Sequence, residues 1–120
     1  MAAILIVTNA PPEYLRDASL NISQDTGFST APLADWSFAA QQGSLAMSLL
    51  FGAFIAYCDF KIHITVPGDG TTQLVLERNN PWWTGLIGVG RVKRRANELM
   101  NAIMLQLSSQ GISILDRREL

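Results

Sequence analysis

Between Asp59 and Arg78 the chain reads DFKIHITVPGDGTTQLVLER, two alternating segments around a glycine-flanked aspartate. Phe60, Ile62, Ile64 and Val66 alternate with Lys61, His63 and Thr65, and Leu74 and Leu76 alternate with Gln73 and Glu77. A period of two marks a strand with one buried face. Opposed residues in an antiparallel pair share a side of the sheet. Burying both apolar rows together therefore requires Ile64 opposite Leu74 and Ile62 opposite Leu76. A two-residue Asp-Gly turn would set Ile64 against a polar-face residue. The register instead predicts a three-residue loop, Gly68-Asp69-Gly70, with Gly70 in the left-handed conformation. It also sets Lys61 opposite Glu77 on the solvent face, a pair worth roughly 0.2–1 kcal/mol. Whatever the rest of the chain does, it must build on an antiparallel sheet with one apolar side.

Residues 3 to 8, AILIVT, are a continuous apolar run with β-branched members, as in a strand covered on both faces or lying inside a sheet. Pro11-Pro12-Glu13 then suits a first helical turn, because proline fits there and an early carboxylate complements the helix dipole. Leu15, Ala18 and Ile22, with Tyr14 beside them, carry the stripe of a helix over 11–25. Gly27 fits the position past its last turn, with Phe28 folding back in a Schellman contact. Pro32 argues against a long strand through 28–33. From Asp35 alternation returns, with Trp36, Phe38 and Ala40 on one side and Asp35, Ser37 and Ala39 on the other. Gln41 to Ser44 reads as a turn, and Leu45, Met47, Leu49 and Phe51 as the large face of another strand, interrupted by Gly52. After the hairpin, Asn79-Asn80-Pro81 ends the second arm. A long helix follows Gly85-Leu-Ile-Gly88-Val-Gly90, its stripe formed by Val92, Ala96, Leu99, Ile103 and Leu107, flanked by Met100 and Met104. Gly111 closes that helix. The tail from Ile112 fits either an edge strand or a frayed end.

The order of elements is β-α-β-β-β-β-α. Short turns imply an antiparallel sheet, here of about five strands, and two one-striped helices must share its apolar face. The expected fold is a single α+β domain, a two-layer sandwich. In this order of elements the chain resembles the helix-grip and TATA-binding-protein-like folds. It is also similar to small bacterial domains with a Gly-Ser, Leu-Leu-x-Gly-Ala and glycine-rich pre-helix pattern. The corresponding residues are Gly43-Ser44, Leu49-Leu50-Phe51-Gly52-Ala53 and Gly85 to Gly90. The resemblance implies a lipid- or small-molecule-binding module, or a domain with no assigned role.

Composition removes several classes of function. Nine Lys and Arg against ten Asp and Glu give no global attraction to nucleic acid or anionic membrane, and no nucleic-acid partner is expected. Residues 43 to 58, GSLAMSLLFGAFIAYC, are the most membrane-like window but fall short of the roughly 20 residues of a span, and no span is expected. The start lacks the basic region of a secretory signal, so the expected location is cytoplasmic. With one cysteine and one histidine, neither an internal disulfide nor a metal site is expected. Cys58 reads as semi-buried and His63 as a surface strand residue. No nucleophile–base pair appears, so the sequence points away from an enzyme and to no cofactor.

The candidate ligand-binding residues gather before and within the last helix: Trp82, Trp83, Gly88, Gly90, Arg91, Arg94 and Arg95. The glycines could leave backbone N–H groups free for an anion at the helix start, or simply let that start approach the sheet closely. A dinucleotide site would need this loop after a parallel strand, which a hairpin arm is not. Arginines in a first turn oppose the helix dipole by a few tenths of a kcal/mol each, a cost that an earlier helix start or a bound anion would remove. The two tryptophans could form a lid or an interface anchor. The expected function is therefore binding of a small apolar or lipid-like ligand with an anionic group, in a cleft between sheet and C-terminal helix. The alternative is a homodimer without a ligand. For that, the mildly polar hairpin face of Lys61, His63, Thr65, Gln73, Val75 and Glu77 supplies a surface.

Overall fold

A computed structural model of the protein describes residues 3–42, 58–78 and 89–120, with backbone alone at 89–91. Its elements are β1 (Ala3–Thr8), α1 (Pro12–Asp25), β2 (Ser29–Ala34), β3 (Ser37–Gln42), β4 (Cys58–Thr65), β5 (Thr72–Arg78), α2 (Val89–Ser109) and β6 (Ile114–Glu119). The strands form one antiparallel sheet in the order β2-β3-β4-β5-β1-β6. This is the expected α+β class, with six strands among the described residues where about five were anticipated.

The central hairpin has the expected register, with Ile62 opposite Leu76, Ile64 opposite Leu74 and Lys61 opposite Glu77. The connection is longer than three residues, since the strands end at Thr65 and Thr72. Asp69 is its midpoint. Gly68 and Gly70 both have positive φ, 92° and 85°, so two glycines rather than one bear the left-handed backbone. Asp69 accepts hydrogen bonds from the Thr71 N–H at 3.0 Å and from the Thr71 hydroxyl. This is an Asx turn that shapes the loop from within. The Glu77 carboxylate turns diagonally to His63, 3.4 Å from its Nε2, rather than to the directly opposed Lys61.

The apolar rows then assemble on one side. Ile4 and Ile6 of β1, Phe38 and Ala40 of β3, Phe60, Ile62 and Ile64 of β4, and Leu74 and Leu76 of β5 join Leu15 of α1 in a single core. The α2 stripe completes it: Val92, Ala96, Leu99, Ile103 and Leu107 are buried as the helical period requires, with Met100 beside them. Each fully buried side chain of this size contributes about 1.5–3 kcal/mol, which makes this layer the main source of stability. β1 lies between β5 and β6, inside the sheet as its sequence suggests.

Both helices stop as read. Phe28 donates its N–H to Ser23 O at 2.9 Å across Gly27, and Ile112 does the same to Leu107 O at 3.0 Å across Gly111. Both glycines have positive φ, and Phe28 is buried behind the first turn-off. Within the α1 stripe, Leu15 is fully buried but Ala18 and Ile22 are only half-buried. Ser19 and Ser23 share the buried face, their hydroxyls donating to Arg16 O and Ser19 O.

Three local expectations are corrected. Residues 29–34 do form a strand, because β2 is an edge and Pro32 needs no ladder partner on its open side. Trp36 belongs to the turn before β3 and is 38% exposed, rather than sitting in the buried row with Phe38 and Ala40. Gln41 and Gln42 lie in β3, not in a turn. The undecided tail is the other edge strand, β6, held to β1. The expected strand over 45–51 falls outside the described residues.

Candidate functional site

Of the residues singled out from the sequence, Trp82, Trp83 and Gly88 lie outside the described residues. Gly90 and Arg91 are in the first turn of α2, and Arg94 is an exposed residue one turn on. Arg95 is engaged within the fold. Its Nε donates to Gln42 Oε1 at 2.8 Å, its Nη2 to Thr26 O at 3.1 Å and its Nη1 to Glu98, while the guanidinium lies 5.0 Å from the Phe28 ring centroid. Thr26 ends α1, so the carbonyl it offers belongs to that helix's negative pole. Because α2 is helical from Val89, Arg94 and Arg95 lie beyond its first turn, where the dipole cost has fallen away. Between sheet and α2, Leu99, Met100, Ile103 and Leu107 are each 1% exposed or less and fill the interface over those turns.

Cys58, expected to be semi-buried, is fully buried. Burial pushes its thiol up, against the opposing charges of Arg95 and Arg78, so it is a neutral core group rather than a nucleophile. Among the described residues no group of three or more His, Cys, Asp or Glu could hold a metal ion, and no helix is long and apolar enough to cross a membrane.

Among the described residues, two hollows open at the end of the sheet where β2 turns into β3. One is a groove of about 250 Å³ between α1 and the β2–β3 hairpin. Arg16 and Leu20, one helical turn apart, form its α1 wall. Thr30, Pro32 and Ala34 of β2 and Phe38 of β3 form the floor, and Asp35 and Ser37 lie at the turn. Thr30 of the floor accepts a 2.9 Å hydrogen bond at Oγ1 from Gln24 Nε2. The Arg16 guanidinium stands 4.8 Å from the Trp36 ring centroid, a cation–π contact. Arg16 Nε donates to Asp17 Oδ1 at 3.1 Å. Among the described residues its two Nη atoms donate to nothing. The second hollow, about 350 Å³, lies across the same turn and is lined by Trp36, Ser37, Lys61 and His63.

The groove was not apparent from the sequence. Arg16 and Trp36 are 20 positions apart and meet only because α1 lies over the hairpin. The one available signal was the Arg16–Leu20 spacing beside an amphipathic stripe. No protein-family model and no curated protein matches this chain.

Proposed function

We propose that the chain is a binding module for a small apolar molecule carrying an anionic group, and that the molecule lies in the groove between α1 and the β2–β3 hairpin. One observation supports this above the others: Arg16, in contact with the Trp36 ring, lines an apolar groove with its terminal N–H groups uncommitted among the described residues. A guanidinium fork suits a carboxylate or phosphate oxygen pair. Leu20, Pro32, Ala34 and Phe38 offer the apolar body a surface that it would otherwise expose to water. The volume is below the roughly 300–1,000 Å³ of drug-sized sites, which sets the ligand as small. The part of the sheet–α2 cleft expected near Trp82 and Trp83 lies outside the described residues.

The test is a titration of isotope-labelled protein with 4-methylpentanoate, a branched apolar acid, followed by NMR. Saturable shifts should gather on Arg16 Nε, Leu20, Thr30 and Phe38. Arg16→Gln should weaken binding by about tenfold, the scale of one partly exposed charge-assisted hydrogen bond. Shifts centred on Val92 to Leu107 would remove the proposal.

A second reading, the homodimer, draws on the sheet face turned away from the helices. Leu5 of β1 is opposite Val75 of β5, with Val7 in the next row, each only half-buried. Lys61, His63 and Glu77 lie beside them, both signs together, as a self-complementary face requires. Light scattering of concentrated protein separates the readings. A dimeric mass abolished by Val75→Glu supports this one, and a monomer dismisses it.

A further inference from the structure

The mouth of the α1–hairpin groove carries more than a cation. Asp35 lies at the β2–β3 turn and lines the same groove as Arg16. Among the described residues its carboxylate has no hydrogen-bond or ion-pair partner. Asp17 occupies only the Nε edge of Arg16. The groove lining therefore carries one guanidinium, Arg16, and one carboxylate, Asp35. A simple anion arriving there meets Arg16 but is repelled by Asp35. A ligand that carries an ammonium next to its carboxylate meets an opposite charge at both.

Resting on the groove as the binding site, we infer that its ligand class is the zwitterionic α-amino acid with an apolar side chain. The carboxylate pairs with the Nη edge of Arg16, the ammonium with Asp35, and the side chain lies along Leu20, Pro32 and Phe38. Three features agree on this class. The opposed charges at the mouth match the two charges of the head group, the apolar floor matches a leucine-like body, and about 250 Å³ suits a molecule of that size better than a long acyl chain.

The experiment compares three probes on the same labelled protein: L-leucine, 4-methylpentanoate, which is leucine without its ammonium, and 3-methylbutan-1-amine, which is leucine without its carboxylate. L-leucine should bind tighter than either, by up to about fivefold, the scale expected for one rim charge pair. Asp35→Asn should remove the preference for L-leucine over 4-methylpentanoate while leaving the acid bound as well or better. Equal or weaker binding of L-leucine than of the acid overturns the amino-acid assignment and leaves the groove standing as a site for anions. If none of the three probes shifts the groove residues, the groove itself fails as the site, and this assignment falls with it.

Discussion

The Nη2 of Arg95, on α2, donates to the carbonyl oxygen of Thr26, the residue that ends α1, across 3.1 Å. The same guanidinium reaches Gln42 at the end of β3 and lies over the buried ring of Phe28. One side chain thus ties both helices to the sheet and satisfies a terminal carbonyl that would otherwise need water.

Arg95→Met keeps much of the side-chain length but removes every donor. It is expected to lower stability by about 1–3 kcal/mol, the range for a hydrogen bond to a charged group with loss of the partner's satisfaction. Arg94→Met, at an exposed site next door, should stay within about 0.5 kcal/mol. Urea denaturation of the two variants checks this. Equal midpoints would mean that the tie contributes nothing.

How much of this was legible can be argued from particular residues. The hairpin register, the stripe of α2 and both glycine helix ends could be read because each rests on a local periodicity or a required backbone conformation. β6 could not. In ILDRRE the helix-facing Arg117 is held by Asn97 and Asn101, so a charge stands where alternation would call for an apolar residue. β2 was hidden for a different reason. Nearly all of it is exposed, so no buried row marks it, and Pro32 argues against a strand unless the sheet edge is known beforehand. The groove needed the tertiary meeting of Arg16 with Trp36, which no spacing within one element encodes.

Arg117 yields its own prediction. Its Nη1 donates to Asn101 Oδ1 at 2.7 Å and its Nη2 to Asn97 Oδ1, pinning the edge strand to α2. Arg117→Ala should loosen β6 more than it lowers global stability, by about 1–2 kcal/mol locally. Hydrogen exchange is the measurement. The Leu120 amide, which donates to Ala3 O at 2.8 Å, should lose protection while core amides of β4 and β5 keep theirs. Uniform loss across the sheet would contradict a local pin.

Cys58 gives a pH dependence of definite sign. Burial raises its thiol in the folded protein, so the native state binds its proton more tightly than the unfolded chain does. The stability linked to it is fully present below the ordinary thiol range and is lost as pH rises towards the raised native value. Two results are expected. A thiol reagent should label native protein at a rate that tracks unfolding, speeding with urea. Cys58→Ala should also flatten the alkaline fall in stability, at the cost of a small cavity. Fast labelling in native buffer would show the thiol to be accessible after all.

The Asp69 turn gives the opposite sign. The Thr71 hydroxyl and N–H both donate to its carboxylate, and these bonds favour the ionised form, so its pKa lies below the ordinary carboxylate range. The contribution is present above the unfolded carboxylate pKa and disappears as pH falls through the lower native value. A carboxyl ¹³C titration should place the Asp69 midpoint below the ordinary aspartate range, and Thr71→Val should move it back up. The flanking glycines test the same turn by backbone strain alone. Nothing lies within 4 Å of a Cβ built on Gly68 or Gly70, so Gly70→Ala meets no neighbour and its cost, about 1–2 kcal/mol, comes entirely from the φ of 85°. If Gly70→Ala were neutral while the Asp69 midpoint stayed low, the loop would reach its shape through the Asx turn and not through left-handed glycine.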